Sequence, residues 1–568
     1  MPKITFQIEG GEDVTVFAVG GENVLELARK ANVPVDAPCS GNGTCGKCLV
    51  KIHENDTERE LLACQTTITG DAVITVPESL SDYVNSISTE LYLNSSETRK
   101  QGDGSHASSS QENGETAFGL AVDIGTTTVS ALLVDMSTGS ILAKATTGNA
   151  QIRYGADVIN RIIEQQKTGG IKRLQDAIVQ DTLLPLIDKL CLITEISRDK
   201  IIRLTVAANT TMNHLLLGVD ANSIRIEPYE PAFLEFEPYD PASIGIDLAP
   251  DAKMLIAPNI GSYVGGDITA GILGAGAETS WQLWALPGTV ALENEAGEPS
   301  PCLSLLVDLG TNGEIVFGDG EFLMACACSA GPAFEGGDIS CGMRAANGAI
   351  EACIIDKDTL EPTLSVINDF PPAGLCGSGL IDVVAELFRV GAINGKGKFE
   401  ALSGSDDNIR NRIRHDEYGT GSYILVFAAD SATGRDITIT ETDIDNFIRA
   451  KGAIFSGIMS LLTPLGLALP DIDNVFIAGG IGSGINIKSA ISIGMLPDLP
   501  PEKYKYLGNT ALSGAYSMLL LKLSDQVLEV VNDIARNMTY IDLSTQPGYM
   551  DEFIAACFLP HTDESLFS

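Results

Sequence analysis

Apolar and polar positions alternate from the start of the chain. Ile4, Phe6 and Ile8, then Val14, Val16 and Ala18, flank the polar turn GGED at 10–13 and predict a β-hairpin. A short helix is expected at 24–31, a strand near 49–53, and a return of the chain through ELLACQT at 60–66. Hairpin, helix, loop and returning strands within about 83 residues point to a small β-grasp domain. Further on, two hydrophobic strands break at an Asp-x-Gly-Thr turn and resume as a second alternating strand: LAVDIGTTTVSALLVD at 120–135 and LLVDLGTNGEIVFGDG at 305–320, with Asp123 and Asp308 separated by 185 residues. Such an internal repeat predicts two similar lobes. A third apolar strand, VFIAGG at 475–480, runs into a glycine pair before a predicted helix. The uncharged run at 452–470 has the length of a membrane span, but Gly457, Pro464 and Gly466 interrupt it. Its upstream residues Ile444, Phe447, Ile448, Ile454, Phe455, Ile458 and Met459 keep helical spacing. A buried helix ending before Pro464 is the expectation.

Between these regions, NSSETRKQGDGSHASSSQENGETA at 94–117 contains no branched aliphatic or aromatic residue. Too little apolar surface is available to offset its ordering entropy, so a flexible linker is expected. A chain of this kind spans roughly 25–30 Å root-mean-square and about 80 Å when stretched. His106 within it reads as a solvated side chain. The resulting division is 1–83, a linker at 84–117, a first lobe at 118–298 and a second at 299–568, consistent with three or four folding units in 568 residues.

Charge and cysteine usage narrow the chemistry. The chain has 75 acidic against 36 basic residues, a formal charge of -39. Nucleic acid and anionic membrane surfaces are thereby disfavoured as principal partners. The N-terminal stretch lacks the apolar run of a signal peptide, and a cytoplasmic protein is the expectation. Cys39, Cys45, Cys48 and Cys64 follow the spacing C-x5-C-x2-C-x15-C, with Gly41, Gly43 and Gly46 wound between the first three. Structural zinc usually takes two C-x2-C pairs, and this chain has one pair and two singles. A [2Fe-2S] cluster takes four thiolates within a loop that supplies N-H donors, which glycines permit. Cys326, Cys328, Cys341, Cys353 and Cys376 sit among apolar neighbours at no metal-site spacing and read as buried free thiols.

The repeated turns invite anion chemistry. Glycine lets the backbone approach a phosphate, N-H groups and threonine hydroxyls donate, and a carboxylate holds magnesium directly or through water. Two related segments, VGGDITAGIL at 264–273 and EGGDISCGM at 335–343, add Asp267 and Asp338. Asp267 fits either a water- or magnesium-orienting role or a helix N-cap; Asp338 is expected to be an N-cap. Neither a P-loop nor a dinucleotide-binding glycine fingerprint is present.

The cysteine segment resembles the [2Fe-2S] ferredoxins, although its first gap is one residue longer than in the plant-type pattern. The order of phosphate hairpin, phosphate hairpin and glycine turn resembles the actin, sugar kinase and Hsp70 ATPase superfamily, whose ribonuclease H-like lobes bind Mg-ATP. That likeness implies an α/β unit with Asp123, Gly125, Thr126, Thr127 and Thr128 in the first phosphate loop, Asp308, Gly310, Thr311, Asn312 and Gly313 in the second, and Gly479 and Gly480 at the adenosine. Taken together with ANTTMNHLLLG (208–218), PNIGSYVGGDI (258–268), SAGPAFEGGDI (329–339) and LCGSGLIDV (375–383), the whole chain resembles the reductive activators of corrinoid-dependent enzymes. The resemblance implies a [2Fe-2S] cluster on the four cysteines, ATP and Mg2+ as further cofactors, and a corrinoid protein as partner whose Co(II) is returned to Co(I). It also implies an external low-potential electron donor and a homodimer. Relatives with C-terminal [4Fe-4S] clusters are set aside, because only Cys557 lies in that region. Alternatives from the residues themselves are an activator of another low-potential enzyme, such as a 2-hydroxyacyl-CoA dehydratase, an ATP-binding scaffold with a redox-sensing ferredoxin domain, or a sugar kinase. The ferredoxin module counts against the first and the last.

Overall fold

The computed structural model describes residues 1–9, 13–31, 33, 35, 37, 41, 43, 48–54, 57–77, 87–92, 117–276, 302–310, 312–319, 322–400, 412–480, 484–521 and 524–567. Cys39, Cys45, Thr311 and most of the expected linker lie outside these residues. The described chain separates into two compact units, residues 1–274 with 511–535, and residues 275–510 with 536–568.

The first unit begins with the expected hairpin, β1 (Lys3–Ile8) and β2 (Val14–Phe17). Strands β3 (Leu49–Glu54), β4 (Thr57–Leu62) and β5 (Ala72–Val76) complete a five-stranded sheet of order β2-β1-β5-β3-β4, in which β1 and β5 run parallel. Alternation puts Ile4, Phe6, Ile52 and Ile74 on one buried face. Helix α1 (Val24–Lys30) covers that face with Val24, Leu25, Leu27 and Ala28. Asn23 caps the helix, its Oδ1 accepting from Leu25 and Glu26 N-H groups, while its Nδ2 donates to the Cys64 carbonyl at 2.8 Å. One residue thus orders the helix start and a cysteine backbone.

A short strand follows inside the expected linker. β6 (Ser88–Leu91) pairs antiparallel with the edge of a six-stranded sheet, and all four of its residues are exposed. Only residues 77–87 therefore join the cysteine domain to that sheet, a connection of about 40 Å at full extension. The sheet contains β7 (Phe118–Ile124), β8 (Thr128–Asp135), β9 (Ser140–Gly148), β10 (Ile201–Ala208) and β11 (Lys253–Ile256) in the order β11-β10-β7-β8-β9-β6. The second unit repeats this arrangement with β12 (Ser304–Leu309), β13 (Gly313–Gly318), β14 (Leu323–Cys328), β15 (Asn474–Ala478) and β16 (Tyr504–Gly508), in the order β16-β15-β12-β13-β14, closed at its edge by β17 (Met538–Tyr540). In both sheets three parallel strands are followed by an antiparallel hairpin. The repeat seen in the sequence is thus a repeat of topology. The inner parallel strands β7, β12 and β15 are buried on both faces, which explains their nearly unbroken apolar runs.

The 22-residue helix over Glu441–Leu462 contains the first part of the uncharged run at 452–470 and ends before Pro464. Thr440 and Asp443 form a capping box at its start, and the carboxylate of Asp443 also accepts from the backbone and hydroxyl of Ser340. Among the described residues no helix is long and apolar enough to cross a membrane. Residues 511–535, within the span expected for the second lobe, pack in the first unit. Thr205 Oγ1 donates to the Ala515 carbonyl at 2.7 Å, and Gly514 lies so close to Ala270 that a Cβ there would stand 1.8 Å from its carbonyl oxygen.

Candidate functional site

In the first domain, Cys48 precedes β3 and Cys64 lies in the short turn after β4. Antiparallel pairing of these strands, with Leu49 opposite Leu62, brings the two cysteines together at one end, where Ala63 N-H donates to the Cys48 carbonyl at 2.8 Å. Gly41 and Gly43 both adopt the left-handed conformation, with φ of 91° and 75°. A Cβ on Gly41 would stand 3.0 Å from Leu25 and 3.6 Å from the Cβ of Cys64, so Gly41 comes close to that cysteine in a conformation that favours glycine. Paired thiols in a glycine-wrapped loop fit a [2Fe-2S] cluster.

The β7–β8 turn is held from behind by donors that the sequence does not mark. Asn149 Nδ2 donates to the Gly125 carbonyl at 3.0 Å, the Asn149 backbone N-H to Thr127 at 2.8 Å, and the Gly125 N-H to Thr128 at 3.0 Å. Arg161, fully buried, donates through Nη2 to the Thr126 carbonyl and through Nε to Gly155 at 2.9 Å. All four carbonyls of the turn are therefore engaged inside the protein, which removes the groups that would repel an anion. Thr126 and Thr127 are buried, Thr128 is exposed, and Asp123 is half-buried at the end of β7.

The same edge collects the ends of the neighbouring parallel strands, the usual ligand position in such sheets. Strand β10 runs into Asn209, which caps helix α2 (Thr210–Leu217) by accepting from Met212 N-H at 2.9 Å. His214 braces that helix. Its Nδ1 donates to the Thr210 carbonyl at 2.7 Å, its Nε2 accepts from Ala232 N-H at 3.0 Å, and burial lowers its pKa, so the neutral ring is favoured. Beyond β11, Gly265 and Gly266 press against this corner. A Cβ on Gly265 would be 2.4 Å from the Thr210 nitrogen, and one on Gly266 would be 2.2 Å from the Ala257 carbonyl oxygen. The paired glycines of VGGD thus let Asp267 reach the corner.

Asp267 occupies the first turn of helix α3 (Gly266–Ala275), where its carboxylate accepts from the Ile268 N-H at 2.9 Å. It is half-buried, and loss of hydration raises its pKa to about 6 despite backbone donors that favour ionisation. The unfolded chain ionises this group near 3.8, so its burial opposes folding increasingly between pH 4 and 6 and fully above 6. D267N is expected to stabilise the ligand-free protein by about 2–3 kcal/mol at pH 7.5, with the gain gone below pH 4. Denaturant unfolding of both proteins across that range checks this; a pH-independent difference would contradict it.

In the second unit, Asp308 stands one residue before the end of β12, opposite Glu314 of β13 and Ala478 of β15. Gly310 N-H donates to the Asn312 carbonyl at 3.1 Å across the turn. Gly479 follows β15 with φ of 91°, and a Cβ there would lie 2.4 Å from the Leu309 carbonyl oxygen and 2.7 Å from Asp308 Oδ1. The structure therefore brings Asp308, Gly310, Asn312, Gly313, Gly479 and Gly480 to one sheet edge, and Gly480 has open space where a Cβ would stand. LCGSGLIDV contributes the start of the helix over Gly377–Arg389. There the Cβ position of Gly484 lies 3.5 Å from Ser378 Oγ.

Cys326, Cys328, Cys341, Cys353 and Cys376 are free thiols, four of them buried and Cys341 half-buried. Burial pushes the pKa of Cys341 and Cys353 up to about 12 and raises those of Cys326 and Cys328 as well. Cys328 lies directly behind the second turn, its Sγ 3.1 Å from the Gly313 carbonyl. Asp338 departs from expectation. It caps no helix; it sits in a turn with φ of 57°, and its carbonyl accepts from Asn446 Nδ2 at 2.7 Å.

Residues 7–69 match the 2Fe-2S iron-sulfur cluster binding domain, 118–280 the RACo middle region, and 302–568 the C-terminal domain of RACo, the ASKHA domain. The chain is 28% identical to the corrinoid activation enzyme RamQ of Eubacterium limosum, over 94% of this chain and 95% of that protein. It is 24% identical to the [Co(II) methylated amine-specific corrinoid protein] reductase of Methanosarcina barkeri, over 73% of each. A solved structure titled as the reductive activator for corrinoid,iron-sulfur protein superposes with a TM-score of 0.69 at 34% identity, covering 100% of both chains. A ferredoxin-type domain, two sheets of repeated topology and a full-length match of this kind show that the chain belongs to the family of reductive activators of corrinoid proteins.

Proposed function

We propose that this chain is an ATP-dependent reductive activator that returns the inactive Co(II) corrinoid of a partner methyltransferase system to Co(I). The observation that carries this reading is the full-length likeness, at 34% identity, to a reductive activator in a chain that joins glycine-wrapped cysteines to duplicated Asp-x-Gly turns. The reduction adds one electron to the substrate cobalt, and an external low-potential donor supplies it. When bound, a [2Fe-2S] cluster provides a one-electron carrier; Cys39, Cys45, Cys48 and Cys64 are its ligands. Asp123 and Asp308 serve the magnesium of Mg-ATP, and Asp267 orients water at the same chemistry. The turn 125–128 and residues Gly310, Thr311, Asn312 and Gly313 receive the phosphates, and Gly479 and Gly480 approach the adenosine. With their carbonyls already engaged, the residues at 125–128 leave donors, not acceptors, for the anion. The protein works in the cytoplasm as a homodimer.

The test is anaerobic: cluster-loaded protein, a low-potential reductant and a Co(II) corrinoid protein, with Co(I) absorbance followed with and without Mg-ATP. Co(I) that forms only with Mg-ATP supports the proposal. ATP turnover without Co(I) across several corrinoid proteins would overturn it.

A further inference from the structure

We propose that Asn209 is the positioning residue that turns the Thr126 hydroxyl into a donor for a nucleotide phosphate. The proposal rests on the reading of the β7–β8 turn as a phosphate loop. The amide of Asn209 has its orientation set by chemistry: a backbone N-H can only donate, so the atom 2.9 Å from Met212 N is Oδ1, and the atom 3.1 Å from Thr126 Oγ1 is the donating Nδ2. Thr126 Oγ1 is therefore an acceptor in that contact, and its own proton must go elsewhere. Among the described residues none accepts it, although Thr126 is only 5% exposed. A buried hydroxyl with an unused proton, in a turn whose carbonyls all point into the protein, calls for an external oxygen acceptor. A phosphate oxygen meets that need.

The placement explains two other features of the corner. Gly265 has no room for a Cβ because it packs on the backbone of Asn209 and Thr210, and His214 holds the Thr210 carbonyl one turn along. Both contacts keep the first turn of α2, and hence the Asn209 amide, in one position. Asn209 itself touches no phosphate; it acts through Thr126.

N209D tests this, because a carboxylate still caps α2 but cannot donate to Thr126 and instead draws the hydroxyl proton to itself. With the full-length protein and MgADP as probe, N209D is expected to bind about tenfold or more weakly at pH 8, the scale of one hydrogen bond to a charged group. T126A should weaken binding by a similar factor, and T126A/N209D should show no further loss. N209S, which retains a cap but is too short to reach Thr126, should bind as weakly, with thermal melts reporting its fold. Wild-type affinity in N209D or N209S, or a loss that adds to that of T126A, overturns the role of Asn209. Wild-type affinity in T126A overturns the phosphate-loop reading itself.

Discussion

The C64S variant is expected to lose the visible absorbance and the reduced-state EPR signal of the [2Fe-2S] cluster, and with them all ATP-dependent Co(I) formation, while MgADP binding and ATP hydrolysis remain. A serine oxygen is a poor substitute for a thiolate ligand to iron. Position 64 is tied to the rest of the loop by the Asn23 bond to its carbonyl and by the close approach of Gly41, so the side chain alone changes while the backbone stays held. The residues proposed to bind the nucleotide lie outside the cysteine domain, so nucleotide binding should be untouched. Measuring ATP turnover, cluster spectrum and Co(I) in one preparation separates the outcomes. Undiminished Co(I) formation in a cluster-free variant would remove the electron-carrying role from this domain; loss of ATP hydrolysis as well would show that the cysteine domain is needed for the ATPase.

G479A should have a comparably large effect on the other half of the chemistry. At φ of 91° an alanine costs about 1–2 kcal/mol in backbone strain. The added Cβ also has to displace the Leu309 carbonyl at 2.4 Å or the Asp308 carboxylate at 2.7 Å. Relief in either direction moves the Asp that the nucleotide reading assigns to magnesium, so Mg-ATP affinity should fall roughly 10- to 100-fold, each 1.4 kcal/mol being a factor of ten. G466A is the control for backbone strain alone, because Gly466 has φ of 69° and nothing lies within 4 Å of its Cβ position. Calorimetric titration of both with MgADP checks the prediction. G479A with wild-type affinity would show that Asp308 can move without consequence for the nucleotide. The cluster spectrum should not change in either variant.

Not every local pattern carried its meaning on its surface. Ser88–Leu91 falls within the expected linker and all four of its residues are exposed; it is a strand because an edge of the larger sheet offers it backbone partners. Residues 511–535 follow the glycine turn in sequence and were expected with the second lobe. They pack in the first unit because Arg203, Thr205 and Ala270 of that unit provide the matching surface. Asp338 shares its tetrapeptide with Asp267, yet one starts a helix and the other sits in a left-handed turn. A four-residue match does not settle backbone conformation.

Local chemistry alone determined much of this protein. The hairpins ending at Asp123 and Asp308, the helix that stops before Pro464, the glycine-wound cysteines and the turn at Gly479 are all short-range, and period, glycine placement and residue type suffice to read them. Tertiary structure alone decided what stands behind those turns. Asn149, Arg161 and Asn209 lie 24, 35 and 83 residues from the backbone or hydroxyl they hold, and each is a common residue with no periodicity to distinguish it. Their role arises because the end of the parallel strand β10, the end of the antiparallel strand β9 and the helix over Val158–Gln165 bring distant donors within 3 Å or so of the same four residues, a convergence that exists only once the chain has folded.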